Sequence, residues 1–157
     1  MCAFLQRRQR AVLETIAALN DASRHSKAAV LQALNTAVRA IDCSIDVVLV
    51  FAPAQADLEC VYACGSRAEH VPGTRLSRGA SRFLPAHAAL CGHRVESSAD
   101  YRPVLPSDRA ALAVPMSSAD GLDAVVYVAS VKDRLREPDV LVGVIEQAAS
   151  PYRIAAD

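Results

Sequence analysis

The chain has 157 residues, which is the length of one ordinary domain, so we predict a single domain over residues 1–157. Apolar residues make up 52% of the chain and charged residues 22%, a balance typical of a compact fold that excludes a disordered tail. Seventeen basic and seventeen acidic side chains cancel, and tryptophan is absent, so neither the charge nor the aromatic content favours a nucleic-acid partner.

No apolar run reaches the roughly 20 residues that span a bilayer. Residues 1–10 also lack the apolar region of a signal peptide. We therefore expect a cytoplasmic protein with no membrane partner. The five cysteines are an odd number without paired spacing, and they are expected to stay as free thiols.

Two amphipathic helices are predicted at the start of the chain. Residues 1–20 carry apolar side chains at heptad-like spacing: Leu5, Val12, Ile16 and Leu19. Turn-forming residues then interrupt the pattern. The second helix spans residues 27–41, with Ser26 as its N-cap. Its apolar face is formed by Val30, Leu34, Val38 and Ile41.

A β-hairpin is predicted next. Residues 45–53 form a run of β-branched and aromatic side chains, which suits a strand that is buried on both faces. Residues 58–64 alternate, and a regular strand would place four side chains on one face: Leu58, Cys60, Tyr62 and Cys64.

The periodicity weakens between Ser66 and Arg109. Short elements are predicted there: an extended piece at residues 73–76, a helix from about Ser81 to Cys91 and a strand at residues 93–96. A hairpin is predicted next, with strands that end at Met116 and begin at Ala124 around an Asp120-Gly121 turn.

A terminal helix is predicted to start at Pro138, because proline is favoured in the first helical turn. The order of elements is helix, helix, strand, strand, an irregular middle, strand, strand, helix. It predicts an α+β domain in which an antiparallel sheet carries the helices from both ends of the chain on one face.

From about Val12 to Ala149 the chain resembles a GAF domain, the small ligand-sensing module of signalling proteins. The resemblance rests on three stretches: YACG at 62–65, GTRLSRGASRFLPAHAALCGHRV at 73–95, and ALAVPM at 111–116, which is similar to the family's S-x-L-A-V-P-L strand. It implies a central antiparallel sheet of five to six strands, with terminal helices on one face and a loop and helix lid on the other.

Several specialised branches of that family are not matched. The Asn-Lys-x-Phe-Asp-Glu signature of cyclic-nucleotide modules is missing, and Gly92 separates Cys91 from His93, so the Cys-His dipeptide that attaches bilin is absent. The cysteines of free methionine sulfoxide reductases would fall near Pro85 and in a segment, residues 101–108, that contains none. We therefore expect no enzyme activity and no cofactor.

His87, Cys91 and His93 form an H-x3-C-x-H pattern that raises two chemical alternatives. A zinc site needs four ligands, or three and a water, and no second cluster of ligands accompanies these residues, so no metal site is expected. A cysteine nucleophile is disfavoured because Cys91 would lie at the negative end of the helix dipole. The favoured interpretation is a small residue before a capping glycine, with no catalytic residue.

Residues 67–109 form a basic segment, with seven arginines against four acidic residues. The GAF resemblance makes this segment the lid over the sheet, so it is expected to cover a small anionic ligand. The expected ligand-binding residues are Phe51, Tyr62, Arg75, Arg78, Arg82, Phe83, His87, Tyr101 and Arg102. The alternative is that the arginines are solvated loop charges and the aromatic residues belong to the core.

The leading functional hypothesis is a non-catalytic regulatory module. A small-molecule ligand would order the lid and shift a homodimer that is held together by the terminal helices. One alternative is a ligandless dimerisation or protein-docking domain, which would have a core in place of the pocket. A less favoured alternative is a thiol redox sensor or enzyme that uses Cys91 or Cys64.

Overall fold

The computed structural model of the protein describes residues 27–79, 82–97, 101–119 and 121–156. The helix predicted over residues 1–20 and its heptad-like stripe lie outside the described residues, as does the proposed N-cap Ser26. None of the helices in the described segments is long and apolar enough to cross a membrane.

One antiparallel sheet organises the described part of the chain. Its six strands are β1 (Ile45–Ala54), β2 (Asp57–Cys64), β3 (Arg75–Ser77), β4 (Val95–Glu96), β5 (Ala110–Ser118) and β6 (Gly121–Ser130), in the spatial order β3-β2-β1-β6-β5-β4. The α-helices of the described residues are α1 (Lys27–Ile41), α2 (Leu84–Cys91) and α3 (Pro138–Ala156). The predicted α+β class and the antiparallel sheet are confirmed.

Helices α1 and α3 cover one face of the sheet, as the order of elements predicted. Their apolar stripes meet inward-facing side chains of the central strands β1, β5 and β6 in a helix-side core. The largest contributors from the helices are Leu34, Val38, Ile41, Leu141 and Ile145. Each fully buried side chain of this size stabilises the fold by about 1.5–3 kcal/mol, so this core fixes the orientation of both helices.

The lid covers the opposite face of the sheet. In its described parts, the segment from Arg67 to Arg109 packs onto the alternate residues of the same strands and forms a lid-side core. The bulky members of that core are Leu49, Phe51, Leu58, Leu84 and Tyr127. The arrangement expected from the GAF resemblance, with helices on one face of the sheet and a lid on the other, is confirmed.

A β-bulge in β2 overturns one prediction about this strand. Val50 of β1 pairs with Tyr62, whereas Phe51 pairs with Cys60, which leaves Val61 as an extra residue with 46% of its surface exposed. Because side chains alternate along a strand, one extra residue moves every later side chain to the other face.

The four residues predicted to share a face of β2 are therefore split between the two cores. Leu58 and Cys60 belong to the lid-side core, while Tyr62 and Cys64 pack against the helix-side core. The prediction of one common face was wrong, because the alternation of a single strand carries no signal for a bulge.

Candidate functional site

The beginning of α2 is joined to Arg102 by a short parallel bridge. The backbone N–H of Arg102 donates to the carbonyl of Arg82 at 2.8 Å, and the N–H of Leu84 donates to the carbonyl of Arg102 at 2.8 Å. The side chains of both arginines are exposed. The bridge pairs Arg102 with Phe83 and joins the backbones of Arg82 and Arg102, which come from separate parts of the lid.

An aromatic stack adjoins this bridge. The ring of His87 stacks on the ring of Tyr101 with centroids 3.7 Å apart and an angle of 19° between the planes. Phe83 lies one helical turn before His87, and Phe83 and Tyr101 both pack against the lid-side core. We refer to Arg82, Phe83, His87, Tyr101 and Arg102 together as the lid cluster; all belong to the predicted ligand site.

The bridge also explains why α2 begins at Leu84 and not near Ser81, where the sequence predicted it. Phe83 is held in an extended conformation (φ −72°, ψ 143°) opposite Arg102, and its side chain supplies no cap. Pro85 has no N–H to satisfy in the first turn, and the Arg102 carbonyl accepts the N–H of Leu84 in place of a capping side chain. At the other end, Gly92 ends the helix in the left-handed conformation, as expected.

The other predicted ligand residues lie away from the lid cluster. Phe51 is fully buried in the lid-side core, and Tyr62 lies on the opposite face of the sheet because of the bulge. Arg75 is on the edge strand β3, where its Nε lies 3.6 Å from a carboxylate oxygen of Glu59. Arg78 follows β3, and its backbone N–H donates to the carbonyl of Ala56.

The described part of the interface between lid and sheet is filled by the protein's own side chains. Phe51, Leu84 and Tyr127 have no exposed surface there. Helix α2 packs on β5, and both elements contribute alanines to the lid-side core: Ala86, Ala88, Ala111 and Ala113. Small residues at both surfaces let a helix lie close to a sheet, so the described part of this region is closely packed.

A charged network at the base of the lid was not predicted from the sequence. Arg67 donates from Nε and Nη2 to the two carboxylate oxygens of Asp46 at 2.7 and 2.6 Å, and from Nη1 to Asp108 at 2.7 Å. The hydroxyl of Tyr127 donates to the other oxygen of Asp108 at 2.6 Å. Because Arg67 is 21 and 41 residues away from these carboxylates in sequence, no local pattern could have indicated the network.

The network shifts the titration of its members. The hydrogen bonds from Arg67 lower the pKa of Asp46 below its ordinary value of 3.8, against the opposing effect of burial. Burial, and after it the charge of Asp108, raises the pKa of Tyr127 far above that of an exposed phenol. Tyr127 therefore acts as a neutral hydrogen-bond donor throughout the physiological pH range.

We expect the Asp46–Arg67 ion pair to make stability depend on acid pH. Because the pKa of Asp46 is lower in the folded chain, the ion pair adds to the free energy of unfolding above pH 3.8, and this contribution is lost as the pH falls through the lowered pKa. Urea unfolding of Asp46→Asn between about pH 2.5 and 7 should show a smaller acid loss than the wild type. Asp133→Asn, at an exposed ion pair, is the control; equal acid losses in Asp46→Asn and the wild type would contradict the prediction.

The H-x3-C-x-H pattern places His87 Nε2 at 3.1 Å from the thiol sulfur of Cys91, at the C-terminal end of α2. His93 Nδ1 lies 3.0 Å from the backbone carbonyl oxygen of Arg94. Among the residues that the structure describes, no three His, Cys, Asp or Glu side chains are grouped to hold a metal ion. Burial raises the pKa of Cys60 to about 11, which makes that thiol a poor nucleophile.

No sequence-family model and no curated protein sequence matches the chain significantly, but solved structures match its fold. One GAF domain structure superposes with a TM-score of 0.74 at 12% identity, covering 94% of this chain and 88% of that one. The GAF domain of a phosphoenolpyruvate-protein phosphotransferase from Coxiella burnetii gives a TM-score of 0.66 at 14% identity, covering 92% and 95% of the two chains. The chain has the GAF fold.

Enzymes share this GAF fold. A free methionine-R-sulfoxide reductase from Neisseria meningitidis, solved with its substrate, superposes with a TM-score of 0.66 at 15% identity and covers 94% of this chain and 91% of that one. GAF domains of other proteins and a reductase therefore have the same architecture, at similar TM-scores and identities to this chain. The fold alone leaves the activity open, and only the residues of the site can decide it.

Proposed function

We propose that this chain is a non-catalytic regulatory module of the GAF type that binds a small anionic ligand at the lid cluster. The observation that carries the proposal is the backbone bridge that brings the segments of Arg82 and Arg102, two exposed arginines, together beside the stacked rings of His87 and Tyr101. Guanidinium groups bind carboxylates and phosphates with paired hydrogen bonds, and an aromatic stack provides an apolar wall for the rest of a ligand.

The lid cluster also offers a route from ligand to conformation. A ligand that bridges Arg82 and Arg102 would stabilise the junction between their segments, and α2, which begins at this junction, packs directly on β5. The sheet in turn carries α1 and α3 on its other face. We propose that the protein forms a homodimer through its terminal helices in the cytoplasm, and that ligand binding shifts this homodimer between two arrangements. A tenfold preference for one arrangement needs only about 1.4 kcal/mol of differential binding.

The absence of catalysis is part of the proposal. Pro85 occupies the first turn of α2, residues 101–108 contain no cysteine, and the exposed thiol of Cys91 lies at the helix end that disfavours a thiolate. We therefore expect no reduction of free methionine-R-sulfoxide when the protein is supplied with a dithiol reductant. Turnover that is lost in Cys91→Ser would overturn this part of the proposal.

The binding proposal can be tested by thermal unfolding of the full chain with a panel of nucleotides, amino acids and organic acids. We expect at least one anionic compound to raise the melting temperature, and Arg82→Ala and Arg102→Ala to weaken its binding by about tenfold or more. Arg109→Ala is the matched control, because that exposed arginine at the end of the lid pairs with Asp133 and lies outside the cluster. Binding that both cluster variants retain would contradict the proposal.

A second candidate function is a ligandless dimerisation or protein-docking module. The packed lid-side core, with Phe51, Leu84 and Tyr127 filling the described space between lid and sheet, favours it. Analytical ultracentrifugation together with the thermal panel separates the two candidates. A stable dimer that no compound in the panel stabilises would select the docking module, whereas a monomer would exclude dimerisation.

A further inference from the structure

A cleft of about 570 Å³ opens at the end of the sheet, away from the lid cluster. Its walls come from the last turn of α1, the start of β1, the end of β2 and the base of the lid: Arg39, Asp46, Ala63, Cys64, Gly65, Ala68, Glu69 and Pro72. This volume falls within the range of about 300–1,000 Å³ that is usual for small-molecule sites. The cleft and the lid cluster have no residue in common.

Arg39 is the cationic side chain that lines this cleft, and no described residue forms an ion pair with it. Its Nε is buried without a hydrogen-bond partner among the described residues. Asp46 lines the same cleft, but both of its carboxylate oxygens are bound by Arg67 at 2.6 and 2.7 Å. Asp46 therefore interacts with Arg39 only through the longer-range attraction between their charges.

Glu69, the other carboxylate of the cleft wall, forms no ion pair with Arg39. Burial, and after it the neighbouring thiol of Cys64, raises the pKa of Tyr62 to about 12, so the phenol is neutral at physiological pH. Asn35, one helical turn before Arg39, has its own buried carbonyl oxygen without a partner, but it is not part of the cleft wall. Buried donors without partners are rare and costly, which makes a bound acceptor the simplest completion of this site.

The other charges in the cleft restrict what that acceptor can be. Asp46 and Glu69 both line it, so a second negative charge on a ligand would be repelled. Ala63, Ala68 and Pro72 add apolar surface beside the guanidinium. We infer that this cleft is a second ligand site, which binds a small organic monocarboxylate with a short apolar tail through a paired contact between the carboxylate and Arg39.

Arg39 also has a structural role, from which the binding role must be separated. It lies in the last turn of α1, where any cation stabilises the helix by interacting with its dipole. Lysine at this position keeps that charge but lacks the planar fork of donors that matches a carboxylate. Arg39→Lys should therefore leave the unfolding midpoint of the free protein nearly unchanged while it weakens carboxylate binding.

The experiment is an NMR titration of the ¹⁵N-labelled full chain with sodium butyrate, followed through backbone amide shifts. We expect saturable shifts at residues that line the cleft, and binding that is about tenfold weaker or lost in Arg39→Lys and Arg39→Gln. Glu69→Gln should bind butyrate as tightly as the wild type or more tightly, because it removes a repelling charge. Arg109→Ala is the matched control and should bind butyrate like the wild type, because that exposed arginine lies outside both the cleft and the lid cluster.

Three outcomes would overturn the inference. The first is butyrate binding that Arg39→Gln retains, which would place the carboxylate elsewhere. The second is inorganic phosphate or butylamine producing the same shifts with equal or higher affinity, which would contradict selection of a monoanion. The third is the absence of saturable shifts in the wild-type chain.

Discussion

Replacing Arg67 with alanine is expected to lower the free energy of unfolding by about 3–5 kcal/mol. The side chain of Asp108 has no exposed surface, and Arg67 is the cation that contacts it at 2.7 Å. Removal of the guanidinium leaves this carboxylate buried without its counterion, and Tyr127 can neutralise none of its charge. It also releases Asp46 from its bidentate contact, so the base of the lid loses its attachment to β1.

Urea unfolding at neutral pH measures this effect, and Arg109→Ala provides the comparison. Arg109 pairs with Asp133 at 3.2 Å, but these side chains are 69% and 77% exposed, so the loss of that pair should lower stability by at most about 1 kcal/mol. Both substitutions remove one arginine from the same segment, but Arg67 is the more buried arginine and contacts two carboxylates, one of them fully buried, whereas Arg109 contacts one exposed carboxylate. If the two variants lost the same stability, the buried network would not be the anchor of the lid.

Gly65→Ala is expected to destabilise the fold by about 3 kcal/mol or more. Gly65 has φ 118° and ψ 145°, a conformation that residues with a side chain rarely adopt. A Cβ atom at this position would also lie 1.9 Å from the backbone oxygen of Asp46. Backbone atoms cannot rotate away as a flexible side chain can, so β1 or the turn after β2 would have to move.

The control for this substitution is Gly143→Ala in α3, measured by thermal and urea unfolding. An added Cβ at Gly143 meets nothing within 4 Å, and glycine inside a helix is less favourable than alanine. Gly143→Ala should therefore stabilise the protein by about 0.5–1 kcal/mol. Equal stability of Gly65→Ala and the wild type would show that the close approach of Gly65 to β1 is not required.

These two expected results concern the same part of the molecule, where the chain leaves β2 and enters the lid. Asp46 is approached there by the backbone of Gly65 and bound by the side chain of Arg67. The lid cluster at the beginning of α2 depends on backbone hydrogen bonds and an aromatic stack, without a buried ion pair. The base of the lid is thus firmly attached, and a ligand would act on the more weakly held junction at Arg82 and Arg102.

The order and type of the described elements could be predicted from the sequence, because each depends on a local pattern. The 3.6-residue periodicity predicted α1 at residues 27–41, and its observed bounds are the same. The β-branched run that starts at Ile45 became β1, and Pro138 marked the start of α3. Each of these signals is contained in a short window of sequence, so it can be recognised without knowing which residues are neighbours in space.

The candidate sites could not be predicted in the same way, because they depend on which segments meet. Val61 is an extra residue only when β2 is compared with its pairing partner β1, and the sequence of β2 alone does not show that pairing. The bulge places Phe51 and Tyr62 on opposite faces of the sheet. The partners of Arg67 are distant in sequence, and the lack of a hydrogen-bond partner for the buried Nε of Arg39 among the described residues depends on which segments surround it. Periodicity records which side of an element is apolar, whereas pairing, close approach and counterion placement are set by contacts between elements.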